Sequence, residues 1–244
     1  MPPAPSPMSP DPLPPREPDR FGTEALCRAM LARHPDTIRT RKPSVAVPRL
    51  ARIVTAVLEI SNRKGFQAMG MRELSAASGL SMGALYGYFD SKETLLRMIL
   101  AEVAAAVDDT LGAAPEAVRA DPRAHLLWLI EAHVRLTEAM LPWFTFAFME
   151  AKTFPPAERR MAVASEERSE AWFAEVIGRG IARGAFDPAT PAILPSLIKP
   201  LLQDWYVKRS KYRRRNVTLP AYVAAVQAVV LAACTAPPPG GHRG

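Results

Sequence analysis

The segment between residues 73 and 93 carries side chains suited to binding phosphate rather than to catalysis. Ser81, Tyr86 and Lys92 lie along it, and a hydroxyl, a phenol and an ammonium group can each donate a hydrogen bond to a phosphate oxygen. Lys92 falls in the first turn of a predicted helix, where a cation opposes the helix dipole and so indicates an anionic partner. The segment therefore predicts a surface that binds nucleic acid.

Enzyme chemistry has little support in the sequence. We find no nucleophile elbow, no phosphate-binding glycine loop and no closely spaced pair of metal ligands. His125 and His133 are eight residues apart, which is not the i, i+4 spacing of a helical metal pair. Cys27 and Cys234 have neither a metal-binding nor a disulfide spacing. We predict no catalytic residue, no metal and no cofactor, and a protein that is not an enzyme.

Two short helices joined by a tight turn are predicted to position the phosphate-binding groups. Gly79 permits the left-handed turn, Ser81 suits the N-cap of the second helix, and Leu85 and Phe89 point inward. We also expect Asp90 to cap the next helix. The residues left on or near the outer face, and predicted to contact DNA together with the lysine that follows them, are Ser81, Met82, Gly83, Ala84, Tyr86, Gly87, Tyr88 and Lys92.

The same segment resembles the TetR family of bacterial repressors. The matching residues are Gly65-Phe66, Arg72-Glu73-Leu74, Gly79-Leu80-Ser81, Gly83, Leu85-Tyr86, Tyr88-Phe89, Ser91-Lys92-Glu93 and Leu95-Leu96. The resemblance implies a three-helix DNA-binding domain, a long fourth helix, a homodimer on a palindromic operator, and an effector pocket in the C-terminal helices. Met69-Gly70, Met82 and Gly87 depart from the residues usual in the family. These departures predict that this surface binds DNA phosphates more weakly than is usual in the family.

The charge distribution favours a specific DNA-binding domain. The formal net charge is +7, and residues 37–100 contain ten Lys and Arg against four Asp and Glu, a net of +6. The alternative, a nucleoid-like protein that binds DNA without an effector, would spread its charge over the surface.

Three basic residues in the preceding linker, Arg39, Arg41 and Lys42, allow two interpretations. They form either a solvated linker or an arm that follows a groove of the DNA. We include them among the candidate DNA contacts.

Residues 99–235 are predicted to form a helical ligand-binding and dimerisation domain. Its large apolar residues could each belong to an ordinary core, but as a set they fit a pocket for a small apolar effector, such as an acyl chain or acyl-coenzyme A. The candidate ligand-binding residues are Trp128, His133, Phe144, Phe148, Met149, Trp172 and Trp205. The basic run 208–215 is either a solvated helix end or a binding site for an anionic effector.

Two predicted helices, 191–214 and 218–235, are candidates for a homodimer interface through residues 191–235. The second is apolar on nearly all sides and must be covered. Pro195 and Pro200 predict a kink or a late start in the first.

The whole chain is predicted to be all-α, because helical periodicity recurs and strand alternation does not. Residues 1–47 are expected to be a disordered or extended arm with a short helix at 21–34, residues 48–98 the helix-turn-helix domain, and residues 236–244 a disordered tail. The N-terminus does not resemble a signal peptide, and the longest apolar run is too short for a bilayer. We therefore expect a cytoplasmic protein with no membrane partner.

Overall fold

A computed structural model describes residues 20–40 and 42–235. The described residues form helices and no strands, as the sequence predicts. The helices are α1 Thr23–Arg33, α2 Pro43–Lys64, α3 Met71–Ser78, α4 Met82–Leu85, α5 Lys92–Leu111, α6 Glu116–Ala120, α7 Pro122–Ala139, α8 Leu141–Met149, α9 Pro156–Ala182, α10 Leu194–Val207, α11 Arg209–Arg214 and α12 Leu219–Cys234, with a 3₁₀ turn at Ala151–Thr153. The predicted tail 236–244 and nearly all of residues 1–20 lie outside the described residues.

Helix α1 forms where a short helix is predicted at 21–34, and it has a packing role that the sequence does not reveal. Its buried residues Leu26, Cys27 and Met30 face the core, and the helix packs mainly on α2 and also on α5. The Arg33 guanidinium forms an ion pair with the buried Glu102 carboxylate of α5. Helix α1 therefore connects α2 with α5.

Helix α2 begins at Pro43, before residue 48, where the helix-turn-helix domain is predicted to start. Pro43 occupies the first turn, where a backbone N–H is not needed. The additional turn buries Ala46 and Val47, and this apolar burial favours helix despite the proline inside it. The helix ends at Lys64, and Gly65 follows as its C-cap with a φ of 86°, a conformation that favours glycine.

The C-terminal helices surround α7, which contacts α5, α9, α10 and α12. The predicted helix 191–214 is divided in the structure: α10 begins at Leu194, ends at Val207 and is followed by α11. The late start agrees with the prolines near its beginning. Helix α6 has no counterpart among the predicted helices.

Candidate nucleic-acid interface and internal cavity

Helices α3 and α4 form a helix-turn-helix. Gly79 has φ 62° and ψ 30°, the left-handed conformation that glycine adopts without strain. The Ser75 hydroxyl donates a hydrogen bond to the Leu80 carbonyl oxygen at 2.5 Å and closes the turn. Ser81 caps α4, because its hydroxyl accepts the Ala84 N–H at 3.2 Å. These local bonds hold α4 against α3.

The outer face of α4 presents small residues around one protruding aromatic ring. Tyr86 is 45% exposed, and Ser81 and Gly83 are also exposed. A side chain added at Gly83 would meet no protein atom within 4 Å. Met82, Ala84 and Gly87 are partly exposed. This face leaves room for a duplex to approach the backbone closely.

The prediction that Tyr88 lies on this face is wrong. Tyr88 is 1% exposed, because α4 ends at Leu85 and the chain then turns instead of continuing the helical periodicity. Tyr88 packs in the core of the domain and cannot reach DNA without unfolding it.

Lys92 holds the loop between α2 and α3. Its ammonium donates hydrogen bonds to the carbonyl oxygens of Gln67 and Met69 at 3.0 and 3.1 Å, and it lies 5.5 Å from the centre of the Phe66 ring. An ammonium has three donors, and the two carbonyl oxygens use two of them. The third could donate to a DNA phosphate, so this contact stays a prediction, while the two observed bonds show that Lys92 also stabilises the loop.

The N-cap of α5 is Ser91, one residue after the predicted Asp90. The Ser91 hydroxyl accepts the Thr94 N–H at 3.1 Å. The Asp90 carboxylate instead accepts the Thr94 hydroxyl at 2.5 Å, and this bond is the main reason why the pKa of Asp90 is lowered.

The linker before α2 lies directly against the end of α4. The Arg39 N–H donates a hydrogen bond to the Gly87 carbonyl oxygen at 2.8 Å, and the side chains of Arg39 and Lys42 are exposed. Arg41 lies outside the described residues. The backbone contact places Arg39 beside the candidate DNA-reading helix, which the sequence alone does not reveal.

Arg72 is a further candidate contact that our sequence analysis did not single out. It is exposed and lies in the first turn of α3. The signal was available, because a cation at a helix N-terminus opposes the dipole unless an anion is bound.

A cavity of about 150 Å³ lies between α5, α7, α8, α9 and α10. His133, Phe144 and Phe148, all predicted to bind ligand, line it. Its apolar walls include Leu100, Val103, Val107, Phe144, Ala147, Phe148 and Met161.

Four predicted ligand-binding residues do not line this cavity. Met149 is 58% exposed, and Trp128 lies beside His125. Trp172 packs near Gly112. Trp205 is buried in a separate cluster, where its ring N–H donates to Glu138 at 2.9 Å. The sequence did not separate these residues from the cavity-lining ones, because residue type does not show on which side of a helix a large side chain packs.

A polar cluster that the sequence analysis missed lies in the cavity wall. Lys199 is 6% exposed, and its ammonium donates to the Ser169 hydroxyl at 2.7 Å and lies 3.4 Å from His133 Nε2. Burial lowers the pKa of Lys199 to about 8 and lowers that of His133 well below its usual value. The available signal was a single lysine within the apolar run Leu194–Leu202.

Part of the basic run 208–215 is occupied by ion pairs within the chain. Lys208 and Lys211 contact the Asp204 carboxylate at 2.6 and 2.8 Å. Arg209 binds Glu138 through two hydrogen bonds of 2.9 and 2.8 Å. These pairs make the run a less suitable site for an anionic effector than the sequence suggests.

Comparison with known proteins agrees with this architecture. The profile of bacterial regulatory proteins of the tetR family matches residues 53–99. An uncharacterized HTH-type transcriptional regulator of Bacillus subtilis, YfiR, is 28% identical over 151 residues, which are 59% of this chain and 70% of that protein.

Two solved structures extend the similarity beyond the DNA-binding domain. The TetR family transcriptional regulator PfmR of Thermus thermophilus superimposes with a TM-score of 0.58 at 25% identity, over 78% of this chain and 97% of that one. The regulator FadR of Bacillus subtilis, solved in complex with stearoyl-CoA, has a TM-score of 0.57 at 13% identity, over 75% of this chain and 97% of that one.

In the part of the chain that the structure describes, no helix is both long and apolar enough to cross a membrane. The helix-turn-helix geometry, the family profile and the related regulators agree with one another. Residues 53–99 therefore match the DNA-binding domain of tetR-family regulators, and the fold of most of the chain is similar to that of a TetR family transcriptional regulator.

Proposed function

We propose that this protein is a repressor that binds a palindromic operator as a homodimer and leaves it when a small effector enters the internal cavity. The observation that carries the proposal is the exposed face of α4, flanked by the linker residue Arg39. The cavity lies in a different part of the fold, so DNA and effector can bind at the same time. Release then requires that the effector bind the DNA-free arrangement more tightly than the DNA-bound one.

An uncovered apolar face on α12 supports the homodimer. Val229 is 59% exposed, and Ile193 and Leu197 on the preceding segment are 60% and 52% exposed. The other exposed residues of α12 are Pro220 and the small apolar residues Ala221, Ala224, Ala225, Ala228 and Ala232. Small side chains allow two helices to approach closely, and a second copy of the chain would remove this surface from water.

Helix α8 offers a route from the cavity to the DNA-binding domain. Phe144 and Phe148 on α8 line the cavity. Glu150, directly after this helix, accepts the Phe66 N–H at 2.9 Å, and the rings of Phe66 and Phe146 meet edge to face at 5.7 Å. Gln67 donates to the Thr153 carbonyl oxygen at 2.9 Å.

These contacts attach the loop 65–70 to the end of α8, and α3 begins directly after that loop. A ligand that displaces α8 would therefore change the position of α3 and α4. Helix α5, which connects the two parts of the chain directly, provides a second route.

Selection from genomic DNA tests the proposal. Purified protein is mixed with fragmented DNA of its own genome, and the retained fragments are sequenced. We expect a palindromic motif whose half-sites lie about one helical turn apart, or at a spacing that the operator sets. Retention of fragments without a shared motif would favour the nucleoid-like alternative.

Arg39 and Tyr86 are expected to contribute differently to operator binding. Arg39→Ala should reduce the slope of log affinity against log salt by about one unit per protomer, because one phosphate contact is lost. Tyr86→Ala should weaken specific binding about tenfold and change the slope less, if the ring contacts a base or sugar. Fluorescence anisotropy on labelled operator measures both effects.

Arg213→Ala is the matched control, because Arg213 is an exposed arginine on α11, outside the DNA-binding domain. Equal salt slopes for wild type, Arg39→Ala and Arg213→Ala would show that the linker is only solvated. Lys92→Ala is a poorer probe, because it would also release the loop 65–70.

A further inference from the structure

The polar cluster in the cavity wall points to the chemical class of the ligand. We propose that the cavity binds a small monocarboxylic acid whose carboxylate pairs with the Lys199 ammonium and whose apolar body packs against Phe144 and Phe148. This inference rests on the proposed role of the cavity as an effector site, and it replaces the broad class of apolar effectors with a narrower one.

Lys199 lacks a carboxylate partner among the described residues. Its hydrogen-bond partners there, the Ser169 hydroxyl and the His133 imidazole, are neutral. The two acidic side chains whose charge acts on Lys199 form hydrogen bonds with other groups: Glu170 accepts the Ser196 hydroxyl, and Glu166, which also lines the cavity, accepts the Gln203 amide at 2.8 Å. A buried charge is costly unless it is paired, so a carboxylate from a ligand would supply the missing partner.

Lys199 remains cationic at neutral pH. Burial lowers its pKa to about 8, while Glu166 and Glu170 oppose this shift. A pKa about one unit above pH 7 still favours the ammonium form. The side chain is therefore a buried cation available to an anion, rather than a neutral amine.

His133 adds a second polar group that lines the cavity. Burial and the neighbouring Lys199 keep its imidazole neutral, and an ammonium can only donate, so Nε2 must accept and Nδ1 must carry the proton. Nδ1 is buried and has no hydrogen-bond partner in the described part of the chain. An unsatisfied buried donor on a residue that lines the cavity again indicates a site for an acceptor group.

The size of the cavity limits the rest of the ligand. Its volume is about 150 Å³, comparable to an engineered protein cavity that admits benzene. Such a space suits one aromatic ring or a short aliphatic chain, whereas most of a molecule as large as stearoyl-CoA would lie outside it, on the open side where Phe148 and Val163 are exposed. The ligand class is therefore a compact acid with an apolar body.

Calorimetric titration of the full-length protein tests this inference with three acids and their neutral amides. The pairs are benzoate and benzamide, phenylacetate and phenylacetamide, and hexanoate and hexanamide. We expect at least one acid to bind at pH 7, and its amide to bind at least about 30-fold more weakly, because the amide cannot form the ion pair. Failure of all three acids to bind at millimolar concentration, or equal affinity of an acid and its amide, would overturn the proposal.

Lys199→Met removes the charge at nearly constant volume, and Lys152→Met is the matched control on an exposed lysine outside the cavity lining. The first variant should lose acid binding at least about 30-fold, while the second keeps it. Retained acid binding in Lys199→Met would show that the lysine is only part of the core. Thermal unfolding of both variants establishes that they are folded.

The pH dependence gives a second readout that needs no variant. Acid binding should weaken as the pH rises from 7 to 9.5, because Lys199 loses its proton while the ligand carboxylate stays ionised. The groups that contact Lys199 or act on its charge are His133 on α7 and Ser169, Glu166 and Glu170 on α9. Arg159 on α9 and Tyr206 on α10 also line the cavity, and none of the ligand acids changes charge in this range. Constant affinity across it would contradict the ion pair.

Operator binding separates this inference from the proposed function. Lys199→Met should bind operator as wild type does in the absence of ligand, because Lys199 lies in the cavity wall and not on α4. If acids bind through Lys199 and leave operator affinity unchanged, the effector role fails and the ligand class stands. If operator is released by a compound whose affinity is independent of Lys199, the ligand class fails and the effector role stands.

Discussion

Val229→Lys is expected to convert the protein to a monomer and to weaken operator binding by about 100-fold or more. Val229 is 59% exposed on the apolar face of α12. In a twofold-symmetric interface each residue near the axis lies close to its own copy, so the variant would bury two ammonium groups close together without partners. Sedimentation velocity measures the oligomeric state, and anisotropy on operator DNA measures the affinity.

The loss of affinity follows from the loss of the second DNA-binding domain. In a dimer, binding of one half-site places the other domain near its own half-site at a millimolar effective concentration, which raises affinity by a factor of about 100 to 10,000. A monomer forgoes this gain even though its own contacts with DNA are intact.

Val163→Lys is the matched control. Val163 is 49% exposed on α9, at the edge of the cavity and outside the proposed interface, so its replacement should leave the dimer and the operator affinity unchanged when no ligand is present. A Val229→Lys protein that stays dimeric would place the interface elsewhere on the chain. A monomer that keeps its operator affinity would show that one copy is sufficient for binding.

The helix-turn-helix could be predicted from sequence because local rules determine it. Gly79 is needed for a left-handed turn and Ser81 for an N-cap, and both requirements involve neighbours within a few residues. The same reasoning failed at Tyr88, where periodicity was extended past Leu85. The length of so short a helix depends on how Tyr88 and Phe89 pack into the rest of the domain, and that packing is not local.

The cavity could be predicted only in part. Aromatic residues are frequent in the C-terminal half, but Trp205 packs with Tyr212 and Tyr222 rather than around a ligand. Lys199 and His133 are 66 residues apart in sequence, and their contact depends on how α7 and α10 pack. No spacing rule relates two residues at such a distance, so the polar cluster was found only in the structure.

The role of α1 was also beyond sequence reasoning, for the same physical reason. Arg33 and Glu102 are 69 residues apart, and nothing near either residue shows that they pair. Arg33 could equally be a solvated cation at a helix C-terminus. The structure gives it a specific partner, and this allows a second prediction with a large effect.

Arg33→Ala is expected to lower the free energy of unfolding by about 2–3 kcal/mol. Removal of one member of a buried ion pair leaves the other charge without a partner, which costs about 3–5 kcal/mol for fully buried pairs. We expect about 2–3 kcal/mol rather than this full cost, because only one partner is fully buried: the side chain of Glu102 is 3% exposed, whereas that of Arg33 is 36% exposed. Urea unfolding measures the change.

Arg28→Ala is the matched control, since Arg28 is an exposed arginine on the same helix and its replacement should change stability by less than about 0.5 kcal/mol. Glu102→Gln should restore most of the lost stability in the double variant, because a neutral amide is far less costly to bury than an unpaired carboxylate. Equal stability of the single and double variants would show that the ion pair is not the cause.

The effect of Arg33→Ala should also depend on pH, and its sign follows from the carboxylate. Burial raises the pKa of Glu102, whereas the hydrogen bond and charge of Arg33 lower it; without Arg33, the folded-state pKa rises further above the unfolded value. A carboxyl group with a raised pKa contributes stability below the unfolded pKa and loses that contribution as the pH rises through the folded pKa. The difference between wild type and Arg33→Ala should therefore be largest at neutral pH and shrink as Glu102 is protonated on acidification. A difference that is constant with pH would mean that Arg33 stabilises the fold by packing its aliphatic chain between α1 and α5 rather than by neutralising Glu102.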